Sequence, residues 1–144
     1  MEDKKWQDTG LLILRAGVGI LFIIHGAPKL FGGPDTWAAI GKMGMGSLGI
    51  TVVPAVWGFL AGFAECVGGL ALILGLLMRP FCFLMGITML VATYYNLFTP
   101  DGGGKNPGLH ALLAFVVFLA LLLSGPGKFS LRQMIDPFKR KWFV

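Results

Sequence analysis

The chain has 144 residues, of which 56% are hydrophobic and only 13% charged, with a mean hydropathy of +0.77. Soluble domains carry roughly a quarter charged residues, so this composition excludes an ordinary soluble enzyme or binding module. The net charge of +5 sits at helix ends and in the tail rather than on one soluble face, so it marks membrane topology and no nucleic-acid partner is expected.

Residues 1–9 are polar and carry Lys4 and Lys5. A first helix is expected from about 10 to 28, apolar except for Arg15 and His25. It lacks a small-residue cleavage site followed by a soluble body, so it reads as a retained span and not a signal peptide. A Gly- and Met-rich loop follows, in which Trp37 and the apolar spacing suggest a short amphipathic segment at the membrane interface. The second helix is expected over 53–78, ended by Arg79-Pro80 because proline disfavours helix in the residue before it. A third runs over about 81–98. Thr99-Pro100-Asp101-Gly102-Gly103-Gly104 is a loop. A fourth runs over about 108–124, broken by Gly125-Pro126-Gly127.

Beyond it, Ser130 is a candidate N-cap, and Leu131, Met134, Ile135, Phe138 and Trp142 recur at helical spacing with basic residues between them. The segment 129–143 therefore reads as an interfacial amphipathic helix, disturbed at Pro137, that meets anionic lipid. No long-period repeat is present. The expectation is one all-α domain spanning 1–144: a polytopic four-transmembrane-helix bundle with a C-terminal interfacial segment.

Four spans put both ends on one side. That side collects Lys4, Lys5, Arg79, Lys128, Arg132, Lys139, Arg140 and Lys141, against Lys29, Lys42 and Lys105 on the other. The positive-inside rule then places both termini in the cytoplasm.

The organising residue is Glu65, a carboxylate in the middle of the second span. Gly58, Ala61, Gly62, Gly69 and Leu72 share its helical stripe, and small residues let neighbouring helices come close. An intramembrane carboxylate must be paired or face water. At about 1.5 Å per residue, Glu65 lies about 20 Å and His25 about 22 Å above the inner end, whereas Arg15 lies about 8 Å above it. Arg15 reaches Glu65 only by extending upward, and otherwise snorkels inward. Arg15, His25 and Lys29 share one stripe of the first helix. Tyr94, Tyr95 and Asn96 from the third helix and His110 from the fourth approach the same outer half. A polar pocket of Glu65, His25, Arg15, Lys29, Tyr94, Tyr95, Asn96 and His110 is expected.

Each residue also has a plainer reading. The Glu65 pair can be purely structural, Tyr94 and Tyr95 an aromatic belt, Lys29 an interfacial anchor, and His110 a solvated helix start. His25, Glu65 and His110 are metal-ligand types, but their spacing matches no known motif, and no metal is expected. Cys66 and Cys82 form no CxxC and lie at different depths, so they read as small core residues. There is no Walker loop and no HExxH, and Gly17 and Gly19 lie inside an apolar helix. No catalytic residue is assigned.

Four fragments in order carry a resemblance: Leu14-Arg15 with His25-Gly26-x-x-Lys29; Glu65-x-x-Gly68-Gly69-x-x-Leu72-x-x-Gly75-x-x-x-Arg79; and Gly125-Pro126-Gly127-x-x-Ser130-Leu131. They resemble the DoxX family over most of the chain. The resemblance implies a small, mainly bacterial four-helix protein of the cytoplasmic (inner) membrane. It also implies a link to redox chemistry, since the family takes its name from the small subunit of a thiosulfate:quinone oxidoreductase. Two positions depart from the family pattern: Arg132 stands where aspartate is usual, and His110 where a carboxylate or other polar group is frequent. The implied function is a quinone-interacting subunit of a membrane oxidoreductase, with no covalently bound cofactor and electrons supplied by a larger membrane complex. The alternatives are a non-catalytic scaffold or accessory subunit, in a complex or homo-oligomer, and a small-molecule or ion pathway.

Overall fold

The computed structural model describes residues 2–135. They form six helices and no strand: α1 (Glu2–Phe31), α2 (Gly33–Ser47), α3 (Pro54–Leu74), α4 (Met78–Phe98), α5 (Lys105–Ser124) and the short α6 (Leu131–Ile135). Four of them, α1, α3, α4 and α5, are long and apolar enough to cross a membrane. At about 1.5 Å per residue each of these covers about 30 Å or more, the thickness of a bilayer's hydrocarbon core.

Three boundaries differ from the sequence expectation. First, α1 is longer at both ends than the apolar run, because the polar residues from Glu2 continue it and Pro28 sits in its last turn without ending it. Second, α3 stops at Gly75 and not at Arg79-Pro80. Gly75 takes a left-handed conformation (φ 68°), and the Gly75 and Leu76 amides cap the carbonyls of Leu72 and Ala71. Arg79 and Pro80 instead belong to the first turn of α4, where proline's missing N–H has no helical partner to lose. Third, the loop after α1 is a full fifteen-residue helix, α2.

α1 and α3 lie antiparallel with their backbones nearly touching. A Cβ on Gly69 would stand 2.6 Å from the Gly19 carbonyl oxygen and 2.9 Å from Ile23. One on Gly26 would stand 2.7 Å from both the Glu65 Cβ and the Cys66 nitrogen. Small residues are what permit this approach. On the other flank, Leu72, Met78, Cys82, Met85, Met89, Phe118 and Leu121 form a buried cluster joining α3, α4 and α5, with Val18 and Phe22 of α1 packed on it. Phe22 and Phe118 meet edge to face at 4.7 Å between ring centres. Cys82 is buried in this cluster and Cys66 is half-buried, both as free thiols.

The start of α1 meets the segment after α5. The Lys128 amide donates to Asp8 Oδ1 at 3.2 Å and the Lys128 ammonium lies 3.5 Å from Asp8 Oδ2. Arg15 is fully buried, and its guanidinium donates to the carbonyls of Pro126 and Phe129, the latter at 2.6 Å. Gly75 packs directly on this guanidinium and on Ser130. Ser130 is buried, and its hydroxyl donates to the Gly127 carbonyl at 3.1 Å, turned back into the Gly-Pro-Gly turn. Lys4, Lys5, Arg79, Lys128 and Arg132 all belong to the segments at this end, called here the basic end. Pro137, Phe138, Trp142 and the remainder of the expected interfacial tail lie outside the described residues.

The α1–α3 contact is the spine of the fold and has no slack. Gly69→Leu should lower the melting temperature of the protein in detergent, with a penalty of about 1–3 kcal/mol or more, the range for overpacked sites. Ala at the exposed Gly17, where a Cβ meets nothing within 4 Å, should leave it unchanged. Thermal unfolding followed by circular dichroism checks both.

Candidate functional site

Glu65 is 2% exposed and pairs with Lys29. The Lys29 ammonium donates to both carboxylate oxygens, at 2.8 Å to Oε1 and 2.7 Å to Oε2. The partner is Lys29 and not His25 or Arg15, for a reason of helix geometry. A helical side chain leans toward its own N-terminus. α1 and α3 run in opposite directions, so Lys29 leans down from above and Glu65 leans up from below. They meet one turn away from the point where Gly26 touches Glu65. The estimate that His25 lies level with Glu65 holds, since its neighbour Gly26 contacts Glu65. Consecutive helical residues point about 100° apart, however, so His25 projects sideways and Gly26 takes the contact.

Around the pair lies a cavity of about 570 Å³, within the size range of small-molecule sites. Its polar wall is His25 and Lys29 of α1 with Glu65 of α3. Ile40, Met43 and Met45 of α2 cover it, with Trp57, Leu60 and Phe63 from α3. α4 supplies Leu84, Ile87, Thr88 and Val91, then Tyr95 and Asn96 near its end. Most of the lining is therefore apolar.

Several of these polar groups are already committed. The Thr88 hydroxyl donates to the Met85 carbonyl at 2.8 Å, and the Tyr95 hydroxyl to the Asp101 carbonyl at 2.8 Å. Asn96 donates to Ala92 at 2.8 Å and accepts from the Gly103 amide at 2.9 Å, fastening the loop after α4. Lys29 has three N–H donors, of which two serve Glu65. The third, with the exposed imidazole of His25, supplies hydrogen-bonding capacity facing the cavity.

The structure thus brings together Glu65, Lys29, His25, Tyr95 and Asn96. It separates three residues from them. Arg15 leans toward the N-terminus of α1, into the Gly-Pro-Gly turn at the basic end. Tyr94 is exposed, packs on Phe98 at 5.6 Å between ring centres and does not line the cavity. His110 is exposed in the second turn of α5 and does not line the cavity. Among the described residues, no group of three or more His, Cys, Asp or Glu is placed to hold a metal ion.

Sequence reasoning missed the contribution of α2. Its Trp37 indole donates to the carbonyls of Lys29 and Leu30 at 3.0 and 3.2 Å, tying α2 across the end of α1. Trp37 also packs against Gly58 and stacks edge-on with Phe59 at 5.0 Å. The available signal was Pro34-Asp35 at a helix start with Trp37 behind it. Four glycines, Gly33, Gly41, Gly44 and Gly46, masked it, since each costs a helix about 1 kcal/mol.

Comparison with known proteins places this geometry in a family. The DoxX family model matches residues 10–99. A protein from Haemophilus influenzae described as uncharacterized is 32% identical over 135 residues, covering 89% of this chain and 92% of its own. The inner membrane protein YqjF of Escherichia coli is 31% identical over 140 residues, covering 96% of this chain and 99% of its own. No solved structure matches. The chain belongs to the DoxX family and is a membrane protein.

The ion pair is a unit. Lys29→Met should strand a carboxylate that is only 2% exposed, at a cost of roughly 3–5 kcal/mol by analogy with buried pairs in soluble proteins. Glu65→Leu should cost less, because Lys29 is 26% exposed and can turn outward. The double variant Lys29→Met/Glu65→Leu should be more stable than Lys29→Met alone. Melting temperatures of the three variants in one detergent check this order.

Proposed function

We propose that this DoxX-family protein is an integral subunit of the bacterial inner membrane that holds a quinone, or a ligand of similar size and polarity, in the Lys29–Glu65 cavity. The basic end then lies in the cytoplasm, following the excess of Lys and Arg there. The description of the Escherichia coli relative as an inner membrane protein supports the location.

The observation that carries this reading is the buried Lys29–Glu65 ion pair set in the wall of a mainly apolar cavity. Ionisable groups inside a membrane domain mark functional sites, and apolar cavities with a few convergent polar groups are where ligands bind. The donor set fits a quinone headgroup, which presents two carbonyl acceptors on a flat ring. The third N–H of Lys29 and the His25 imidazole are donors, and Trp57 and Tyr95 are flat aromatic walls. A bound quinone supplies two-electron, two-proton redox chemistry. The chain's own residues would orient the headgroup, exclude water, and hold a proton at the Glu65 carboxylate. Electrons would come from a partner protein, which makes this chain a non-autonomous subunit of a quinone-linked oxidoreductase.

Titration of the purified protein in lipid nanodiscs with short-chain ubiquinone and menaquinone analogues tests the proposal through tryptophan fluorescence. Saturable quenching is expected. Lys29→Met should weaken it by roughly ten- to a hundredfold, the loss of one charge-assisted hydrogen bond of about 1.5–3 kcal/mol. Absence of saturation with both analogues would leave the protein as an accessory subunit that packs in a complex and binds no quinone.

A further inference from the structure

We propose that the cavity opens sideways into the bilayer, between α3 and α4 beneath α2, and that its ligand is a lipid-dissolved molecule whose hydrocarbon tail stays in that opening while its headgroup reaches Lys29. This rests on the reading of the cavity as a ligand site and adds the direction of access and the tail.

The apolar cavity residues that remain exposed are Met43 on α2, Leu60 and Phe63 on α3, and Leu84 and Ile87 on α4. They mark the mouth. The remaining exposed member of the lining considered above is His25, on the α1 wall with Lys29. Counting about 1.5 Å per residue, Leu60 and Phe63 lie about 9 and 14 Å from the outer start of α3. By the same count Leu84 and Ile87 lie about 9 and 14 Å from the opposite start of α4. All four therefore fall within the roughly 30 Å hydrocarbon layer and outside the headgroup zones. A mouth at that depth faces acyl chains, and its lack of any charged residue suits them.

The architecture explains why a gap exists there. α3 and α4 are joined by a tight turn at Gly75–Leu77 at the basic end, so they are closest there, with Gly68 against Met85. Toward the other end α2 stands between them, with Gly41 against Pro54 and Gly44 against Val91. Below α2 the cavity lies in the wedge between the two helices, and the Phe63 ring of α3 and the Phe81 ring of α4 stand 6.3 Å apart at its lower edge. The polar pair lies at the back of the wedge and the apolar residues at its front. A molecule with a hydrogen-bond-accepting head and a hydrocarbon tail matches that order; a small water-borne solute does not.

The test uses the full chain in nanodiscs containing a phospholipid with a diazirine midway along one acyl chain. After illumination, adducts are mapped by mass spectrometry. Adducts on Ala61 and Thr88, inside the cavity, are expected alongside those on Leu113 of the outer face of α5. In the doubly substituted mouth Leu60→Trp/Ile87→Trp, the interior adducts should fall severalfold while those on Leu113 persist, which also reports that the variant is folded. Interior residues left unlabelled in the wild-type chain while Leu113 is labelled would overturn the proposal. So would labelling of Ala61 and Thr88 by a water-soluble diazirine in place of the lipid. Because no quinone is present, this outcome is independent of the titration that tests ligand identity.

Discussion

The structure depends on one ion pair placed where lipid forbids a lone charge. Lys29 and Glu65 each lie on a helix that would be acceptable to a bilayer without them, and each would be expensive without the other. Their meeting is imposed by direction. Two antiparallel helices throw their side chains toward each other's starting ends, so a residue one turn above the contact on α1 and one at the contact on α3 converge. Gly26 and Gly62 make the meeting short enough: the first lets α1 lie on Glu65, and the second lets α3 lie against Leu30. A larger side chain at either place would push the helices apart and lengthen the ammonium–carboxylate distance. Helix packing and charge neutralisation are thus one constraint.

A second cation is handled differently, and the contrast separates structural from site chemistry. Arg15 is more deeply buried than Lys29, and among the described residues its hydrogen-bond acceptors are backbone carbonyls. It is neutralised in effect by backbone dipoles, the carbonyls of Pro126 and Phe129. The turn Gly125-Pro126-Gly127 exposes those carbonyls, and Gly75 leaves room for the planar guanidinium to reach them. Arginine suits this task because it stays charged and presents a rigid fork of donors. The result is a clamp that fastens α1, the α3–α4 turn and the segment after α5 at one end. The residues of that clamp do not line the Lys29–Glu65 cavity. The Lys29–Glu65 pair, by contrast, keeps a free donor beside an empty volume.

Much of this is legible in the sequence. The four spans, their order, and Glu65 as the inward polar residue all follow from hydropathy and from the small residues around the acid. Lys29 was legible as a member of the correct stripe. What was not legible is azimuth. Depth along a helix can be counted, so the level of His25 was right, but which of several residues on a broad stripe faces a particular neighbour depends on which helices are adjacent. Tyr94 and His110, which belong to the same expected pocket, do not line the cavity. The α3–α4 boundary was misread because Pro80 is a stronger visible breaker than Gly75. A proline in a first turn breaks nothing, whereas a glycine in a left-handed conformation ends a helix outright.

The helix that propensity argues against, α2, is the one that completes the cavity. With glycine at 33, 41, 44 and 46 it would be marginal in isolation, so packing must hold it. The same glycines provide that packing: Gly41 admits the Pro54 backbone and Gly44 the Val91 side chain, and Trp37 pins the start of the helix to the end of α1. A helix with larger residues on this face would be more stable alone, but it would not seat between α3 and α4, and the cavity beneath it would have no cover. α2 is therefore held at its first turns and along one face, while Met43 and Met45 lie over the cavity. Methionine side chains are flexible enough to conform to different shapes. The polar wall of the cavity is fixed by an ion pair between two locked helices, and its apolar cover is made of adaptable groups on a helix without intrinsic stability. Such a division suits the proposed ligand, whose headgroup needs close placement and whose tail does not.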